Sequence, residues 1–277
     1  MFPGQGSQVP GMRDWVAEHC PELLERAYDT LGLCPFDQID EGTRYAQPAM
    51  YCAAVAHWVG AGSPRYDYVA GHSLGEIAAL VAAGCMSADD GLQLALVRGQ
   101  VMQRAAEQGP KGGMMALVGD DSAARNVARL SGLPVSNDNA PGQIVVSGPD
   151  WRLVAAAARA KAQSLQAVRL RIQGAFHTRA MRPALPDFRA ALAKIDFQAP
   201  SMPVFSSTTA KPFDDVRSRL AAALTHPVHW RGTLASLDQA GVARYIEAGP
   251  GRVLSGLVKR TIPNAEVLQL RTLAAGS

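Results

Sequence analysis

Gly71-His72-Ser73-Leu74-Gly75-Glu76 is the stretch that decides the fold. A short apolar run, Tyr68-Val69-Ala70, precedes it, and an Ala/Leu-rich segment from Ile77 to Gly84 follows. Strand, sharp turn, helix is the context in which G-x-S-x-G forms a nucleophile elbow. The glycines permit a tight turn and close packing of neighbouring elements. The serine is left at the tip, where N–H groups of the helix start face the oxygen of an attacked carbonyl. An ordinary N-cap serine is the alternative reading.

Working outward, the chain alternates helices and strands. Residues 12–32, 47–60, 76–83 and 88–108 read as helices, and 66–70 as a strand. After Lys111-Gly112-Gly113 the texture changes to short strands at 114–118, 135–137, 143–147 and 169–172, with helices at 121–131 and 150–164. That β-α-β-β-α-β order fits a split-βαβ unit. Beyond His177 longer helices return, with strands at 204–206 and 244–247. The expected fold is α/β: an α/β-hydrolase-like core with a parallel sheet, residues 1–112 and 178–277, interrupted by a small ferredoxin-like α+β subdomain, residues 113–177. Only Met1 and Phe2 precede the loop Pro3-Gly4-Gln5-Gly6-Ser7-Gln8, whereas a core strand normally runs to about five residues. Either the first strand is nearly absent or the chain continues upstream.

The composition is that of a soluble globular protein: 277 residues, 48% apolar, 18% charged, net charge +3. It gives no sign of nucleic-acid binding. No apolar run is long enough to span a membrane, and the first residues lack a signal peptide. Cys20, Cys34, Cys52 and Cys85 are scattered and read as reduced thiols, not as a metal site. The expected location is the cytoplasm and the expected state a monomer.

A serine nucleophile needs a base. Of six histidines, His72 is adjacent to Ser73, and consecutive side chains in a tight turn diverge. His19 and His57 fall on helices expected at the surface. His177 follows a strand and a short loop, beside Phe176, where the chain re-enters the core; that suits the base of a Ser–His pair as well as it suits a structural histidine. Arg98 sits inside the helix after the elbow, flanked by Leu94, Leu96 and Met102. A snorkelling surface arginine is one reading. If Arg98 is buried toward the site, its fork suits an acyl group ending in a carboxylate.

Seven motifs occur in order: Phe2-Pro3-Gly4-Gln5-Gly6-Ser7-Gln8, Gln47-Pro48-Ala49, the elbow, Arg98-Gly99, Asn139-Ala140-Pro141-Gly142-Gln143, Ala175-Phe176-His177 and Gly249-Pro250-Gly251. Together the chain resembles the malonyl-CoA:acyl-carrier-protein transacylases of fatty acid and polyketide synthesis, from Phe2 to about Arg260. The resemblance implies Ser73 as acylated nucleophile, His177 as base, Arg98 as clamp on the malonate carboxylate, and the N–H groups of Gln5 and Leu74 on the oxyanion. It implies that a backbone carbonyl orients the histidine, here that of His229 in Pro227-Val228-His229-Trp230, and that Asn139 lies near the acyl pocket. It implies malonyl-CoA and an acyl carrier protein as partners, and no cofactor or metal. Leu74 and Phe176 match the malonyl form of their motifs, while Gly174 stands where polyketide versions often carry a larger residue.

From Trp151 to Pro186 the chain has no Asp or Glu but carries Arg152, Arg159, Lys161, Arg169, Arg171, Arg179 and Arg182. Such a segment steers an acidic partner or is simply a solvated face. Two other function classes compete with transfer. One is an acyl hydrolase or editing thioesterase of the same fold, which gains nothing from a buried cation. The other is a non-catalytic docking subunit, which predicts loss of a catalytic residue, and none is lost.

Overall fold

The structure, a computed structural model, describes residues 1–270; residues 271–277, which the expected core segment includes, lie outside the described residues. The chain opens with α1 (Met12–His19), α2 (Pro21–Leu31) and α3 (Thr43–Gly60). The single helix expected over 12–32 is two, because Pro21 stands at the first position of α2 and cannot donate to a continuing helix. Strand β1 (Val69–Ala70) runs into the elbow, then α4 (Gly75–Ala82) and α5 (Ala88–Gln108) follow. Ser87 caps α5 by accepting from Asp90 N at 3.0 Å.

The small unit is β2 (Gly112–Val118), α6 (Asp121–Leu130), β3 (Val135–Ala140), β4 (Gln143–Pro149), α7 (Asp150–Ala162) and β5 (Gln166–Gln173). Its strands form one sheet in the order β3-β4-β2-β5, every neighbouring pair antiparallel. The alternation along β2 splits its two faces. Met115 and Leu117 join Val127, Ile144 and Leu153 in a core under α6 and α7. Met114 and Ala116 point the other way, toward the large unit.

The chain then returns through a short 3-10 turn (Arg179–Ala184) to α8 (Leu185–Ala193), β6 (Val204–Ser206), β7 (Lys211–Pro212), α9 (Val216–Ala223), α10 (Trp230–Gln239), β8 (Arg244–Glu247), α11 (Val253–Thr261) and β9 (Glu266–Gln269). β1 pairs with β6 in parallel, Val69 against Val204, and β8 pairs with β9 in parallel. Phe2 joins these pieces. Its N–H donates to Ala70 O at 2.9 Å, its carbonyl accepts from His72 N at 3.0 Å, and Met1 O accepts from Ala248 N at 2.8 Å. Phe2 thus forms a parallel bridge to Gly71 that carries the Gln5 loop to the tip of the elbow.

The core explains the elbow. Every residue of α4 is buried. A Cβ on Gly75 would collide with the Phe2 carbonyl, and one on Gly71 with the Gly75 backbone. Both glycines are there because turn, helix and first strand touch through bare backbone. No described helix is long and apolar enough to cross a membrane.

Candidate active site

Ser73 and His177 are two of the few non-glycine residues with left-handed backbone, at φ 54° and φ 58°. Strain of this kind persists only where surroundings enforce it, and it clusters at functional sites. Ser73 sits at the turn between β1 and α4, and His177 in the loop after β5. Their side chains meet, with Ser73 Oγ 2.9 Å from His177 Nε2. His177 Nδ1 lies 2.8 Å from the Ala223 carbonyl. Nδ1 therefore carries the proton and donates, leaving Nε2 to accept from the serine hydroxyl.

This corrects the expectation for His229. Its carbonyl is already taken, accepting from Thr233 N at 2.9 Å and Thr233 Oγ1 at 3.1 Å as the start of α10. Ala223 ends α9, where the last carbonyls of a helix lack intrahelical donors and carry partial negative charge. That makes it a free acceptor facing an imidazole N–H, with the His226 backbone acting on the same ring. His229 N instead donates to Ser207 O at 2.6 Å, and its ring is exposed.

Arg98 is buried, only 4% exposed. Its Nη1 donates to Gln47 Oε1 at 2.7 Å and its Nη2 to Ser73 Oγ at 3.1 Å. Gln47 is held in turn: its Nε2 donates to Thr43 Oγ1 at 2.9 Å, and Thr43 Oγ1 donates to Gln5 Oε1 at 2.8 Å. The chain exists because α3 and α5 pack unusually close. A Cβ on Gly99, beside Arg98, would stand 2.8 Å from the Thr43 carbonyl. Sequence reasoning assigned Gln47 no role, although Gln47-Pro48-Ala49 stood out as a motif. Among the described residues no carboxylate forms an ion pair with Arg98.

Burial is the main force on these groups. It pushes His177 down to about 3, helped by the Arg98 charge. It lowers Arg98 to about 10 despite the opposing pull of Glu76. Arg98 thus stays charged and His177 neutral at ordinary pH.

The remaining residues line one cavity of about 430 Å³ between the two units. Gln5, Leu74, Asn139 and Phe176 all face it. The N–H groups of Gln5 and Leu74 donate to no other described residue. Asn139 Oδ1 lies 2.9 Å from His72 Nε2, so the neighbour of the serine points away from it and across to β3. Phe176 packs against Gly174, whose φ of 129° and whose contact with the ring leave no room for a side chain. His57, expected at the surface, is buried, with Nδ1 2.6 Å from Ala53 O.

A strained serine, a neutral histidine oriented on a backbone carbonyl and an unpaired buried arginine form an acyl-transfer constellation. The acyl transferase domain family matches residues 36–275. The chain belongs to the acyl transferase family. It is 38% identical to the polyketide biosynthesis protein ThaF of Burkholderia thailandensis, over 95% of the chain but only 24% of ThaF's length. It is 35% identical to the malonyl CoA-acyl carrier protein transacylase of Salmonella typhimurium, over 99% of the chain and 96% of that enzyme. Among solved structures it is similar to a malonyl-transacylase in complex with its type II polyketide acyl-carrier protein, at 30% identity. That match has a TM-score of 0.88 and covers 100% of this chain and 98% of that one.

Proposed function

We propose that this acyltransferase moves a malonyl group from coenzyme A to the phosphopantetheine thiol of an acyl carrier protein, through an ester on Ser73. The observation that carries the reading is the buried Arg98, which has no carboxylate partner and touches the nucleophile. An interior cation without an ion-pair partner is costly unless that partner arrives with the substrate. The malonate carboxylate is that partner, and a bidentate grip on it sets the thioester carbonyl over Ser73.

Ser73 Oγ attacks the thioester carbonyl while His177 Nε2 takes its proton. The oxyanion is received by the N–H groups of Gln5 and Leu74, whose lack of other acceptors supports this role. The tetrahedral adduct collapses, and coenzyme A leaves as the thiol carrying that proton. The carrier thiol then gives its proton to His177, attacks the ester, and Ser73 regains its proton as the new thioester leaves. Hydrolysis by the same pair is not favoured, because the relatives are transacylases and the cation serves no neutral acyl chain.

The antiparallel β3-β4-β2-β5 order supports a ferredoxin-like small unit over residues 113–177. The parallel β1–β6 pairing and the elbow support an α/β-hydrolase-like core from 1–112 and 178–277. Among the basic residues of the acid-free segment, Arg171 lines the cavity, and Arg179 and Arg182 line an adjoining one, which supports an acidic carrier as partner. Four free, buried cysteines support a reducing compartment such as the cytoplasm. The experiment is intact mass. Malonyl-CoA alone gives a malonyl adduct that holo carrier protein discharges, and Ser73→Ala forms none; an adduct on another residue overturns the mechanism.

A further inference from the structure

Glu76 closes the elbow motif, and the transfer mechanism does not use it. It is fully buried at the first turn of α4. Its Oε1 accepts from Ser207 N at 2.6 Å and from Ser207 Oγ at 3.0 Å, while its Oε2 has no partner. The two oxygens are thus unlike: one is held by two donors, the other is bare. A carboxyl in such a seat is suited to both ionisation states, since a proton on Oε2 breaks no existing bond.

The groups that face it can be named. From α5 comes Arg98, the charged residue that acts on it. β6 ends on Ser206 and the loop after it begins with Ser207; both are neutral. His229 reaches it only through its backbone bond to Ser207, and its ring is exposed. His177, beyond Arg98, is neutral above about pH 3. His72, on the same turn, faces Asn139 and is lowered by burial. Glu76 and Arg98 are therefore two opposite interior charges that feel each other without forming an ion pair.

We infer that Glu76 and the acyl carboxylate compete for the single positive charge of Arg98, so that loading malonyl onto Ser73 makes Glu76 take up a proton from solvent. This rests on the proposed function and deepens it. In the empty site the two Ser207 hydrogen bonds and the Arg98 charge favour the ionised form of Glu76 against its burial. A malonate carboxylate on Arg98 brings a second anion into the same interior, and like charges disfavour double ionisation. The balance is fine enough to tip, because burial raises Glu76 to about 7 against the Ser207 hydrogen bonds and, after them, the Arg98 charge. The coupling is reciprocal. Ionised Glu76 weakens the grip on malonyl, so malonyl affinity falls as pH rises through neutrality. Acetyl, with no carboxylate, escapes the effect. Glu76 is in this sense a specificity-positioning residue acting through Arg98.

The test counts protons. Ester formation itself releases none, since the serine proton leaves with the coenzyme A thiol. The full chain is acylated in weak buffer near neutral pH with an indicator dye, once with malonyl-CoA and once with acetyl-CoA. Uptake of a sizeable fraction of a proton per malonyl-Ser73, absent with acetyl and absent in Glu76→Gln, is expected. Glu76→Gln keeps an acceptor for Ser207 and deletes only the charge. In wild type the KM for malonyl-CoA should rise several-fold from about pH 6 to about pH 8, with kcat little changed, and the variant should be flat. If the variant fails to fold, infrared difference spectra of wild type with isotope-labelled glutamate decide. A protonated carboxyl band should appear on malonylation and not on acetylation. Equal proton uptake with both donors, excess uptake surviving in Glu76→Gln, or no labelled band overturns the inference. Failure to form any malonyl adduct overturns the proposed function instead.

Discussion

Arg98 Nη2 donates to the hydroxyl oxygen of Ser73 over 3.1 Å, so the interior cation of this enzyme rests on its proposed nucleophile. The hydroxyl accepts from Arg98 and donates to His177, which fixes its orientation before substrate arrives. In the proposed reaction a malonate carboxylate is a better acceptor for that nitrogen than the serine hydroxyl. Arg98→Ala should therefore lower malonyl transfer by a factor on the order of a hundred or more, as breaking a buried ion pair does. Acetyl transfer should be spared or improved. The measurement is the malonyl-to-acetyl ratio of kcat/KM in both proteins, and an unchanged ratio means Arg98 does not touch the acyl group.

Gln47 is the residue that aims Arg98. Its amide oxygen accepts from Nη1, and its amide nitrogen is anchored through Thr43 to Gln5. Losing one hydrogen bond to a charged group costs about 1.5–3 kcal/mol. Gln47→Ala should raise the KM for malonyl-CoA by about ten- to a hundredfold and leave acetyl transfer close to wild type. Equal losses for both donors would assign Gln47 to packing of α3 on α5 alone.

His177→Ala should cost several orders of magnitude in transfer, as removal of a triad base does. His229→Ala should be mild, because neither its ring nor its carbonyl reaches the pair. Single-turnover acylation of Ser73 is the readout, and a large loss at His229 with a small one at His177 would reverse the assignment.

The reasons these roles were or were not legible are physical. Ser73 stood out because an elbow requires glycines at fixed spacing, whereas Arg98 amid Leu94, Leu96 and Met102 read also as a snorkelling surface residue, and its burial against Ser73 depends on the tertiary packing. The small unit was readable from its strand-helix order, with β3 and β5 longer than expected because polar edge residues such as Asp138 and Gln166 still pair in the sheet. The carbonyl of Ala223 was not readable, because a backbone acceptor has no side-chain signature and its availability depends on where α9 stops. The pairing of Phe2 was illegible for a related cause: its bridge to Gly71 is made through backbone atoms and has no side-chain signature. Gln47 needed the close approach of α3 and α5, which no local pattern reports.

The depressed pKa of His177 fixes a pH window for stability. Burial, then the Arg98 charge, holds the folded imidazole at about 3, against about 6.5 for a free histidine. Between these values the unfolded chain binds a proton that the folded chain refuses. The contribution of His177 is therefore fully present above about pH 6.5 and is lost as pH falls through the window toward 3. Glu76 has the opposite sign: its folded pKa is raised, so its contribution is lost as pH rises toward 7. The difference between wild type and His177→Gln isolates the histidine. Denaturation midpoints should fall more steeply with acid in wild type than in the variant, and parallel curves would show that His177 is not buried neutral.

The elbow glycines make a prediction about the fold itself. Gly75 opens α4 with its Cα against the Phe2 carbonyl, and an added Cβ would overlap that backbone oxygen. The obstacle is backbone on both sides, so no rotamer change relieves it. Relief requires either Phe2 to leave β1, which breaks the Phe2–Ala70 and His72–Phe2 bonds, or the turn to open and carry Ser73 with it. Gly75→Ala should thus be strongly destabilising, on the order of 3 kcal/mol or more, because overpacking and lost buried hydrogen bonds act together. Any folded remainder should be slow to acylate. Gly256 is the matched control. It lies within α11, is exposed, and a Cβ there meets nothing within 4 Å. Gly256→Ala should stabilise by about 0.5–1 kcal/mol, the usual gain in a helix interior. Urea unfolding of both variants measures the contrast. Comparable small effects at the two sites would mean that the turn, α4 and the Phe2 bridge are not packed backbone to backbone.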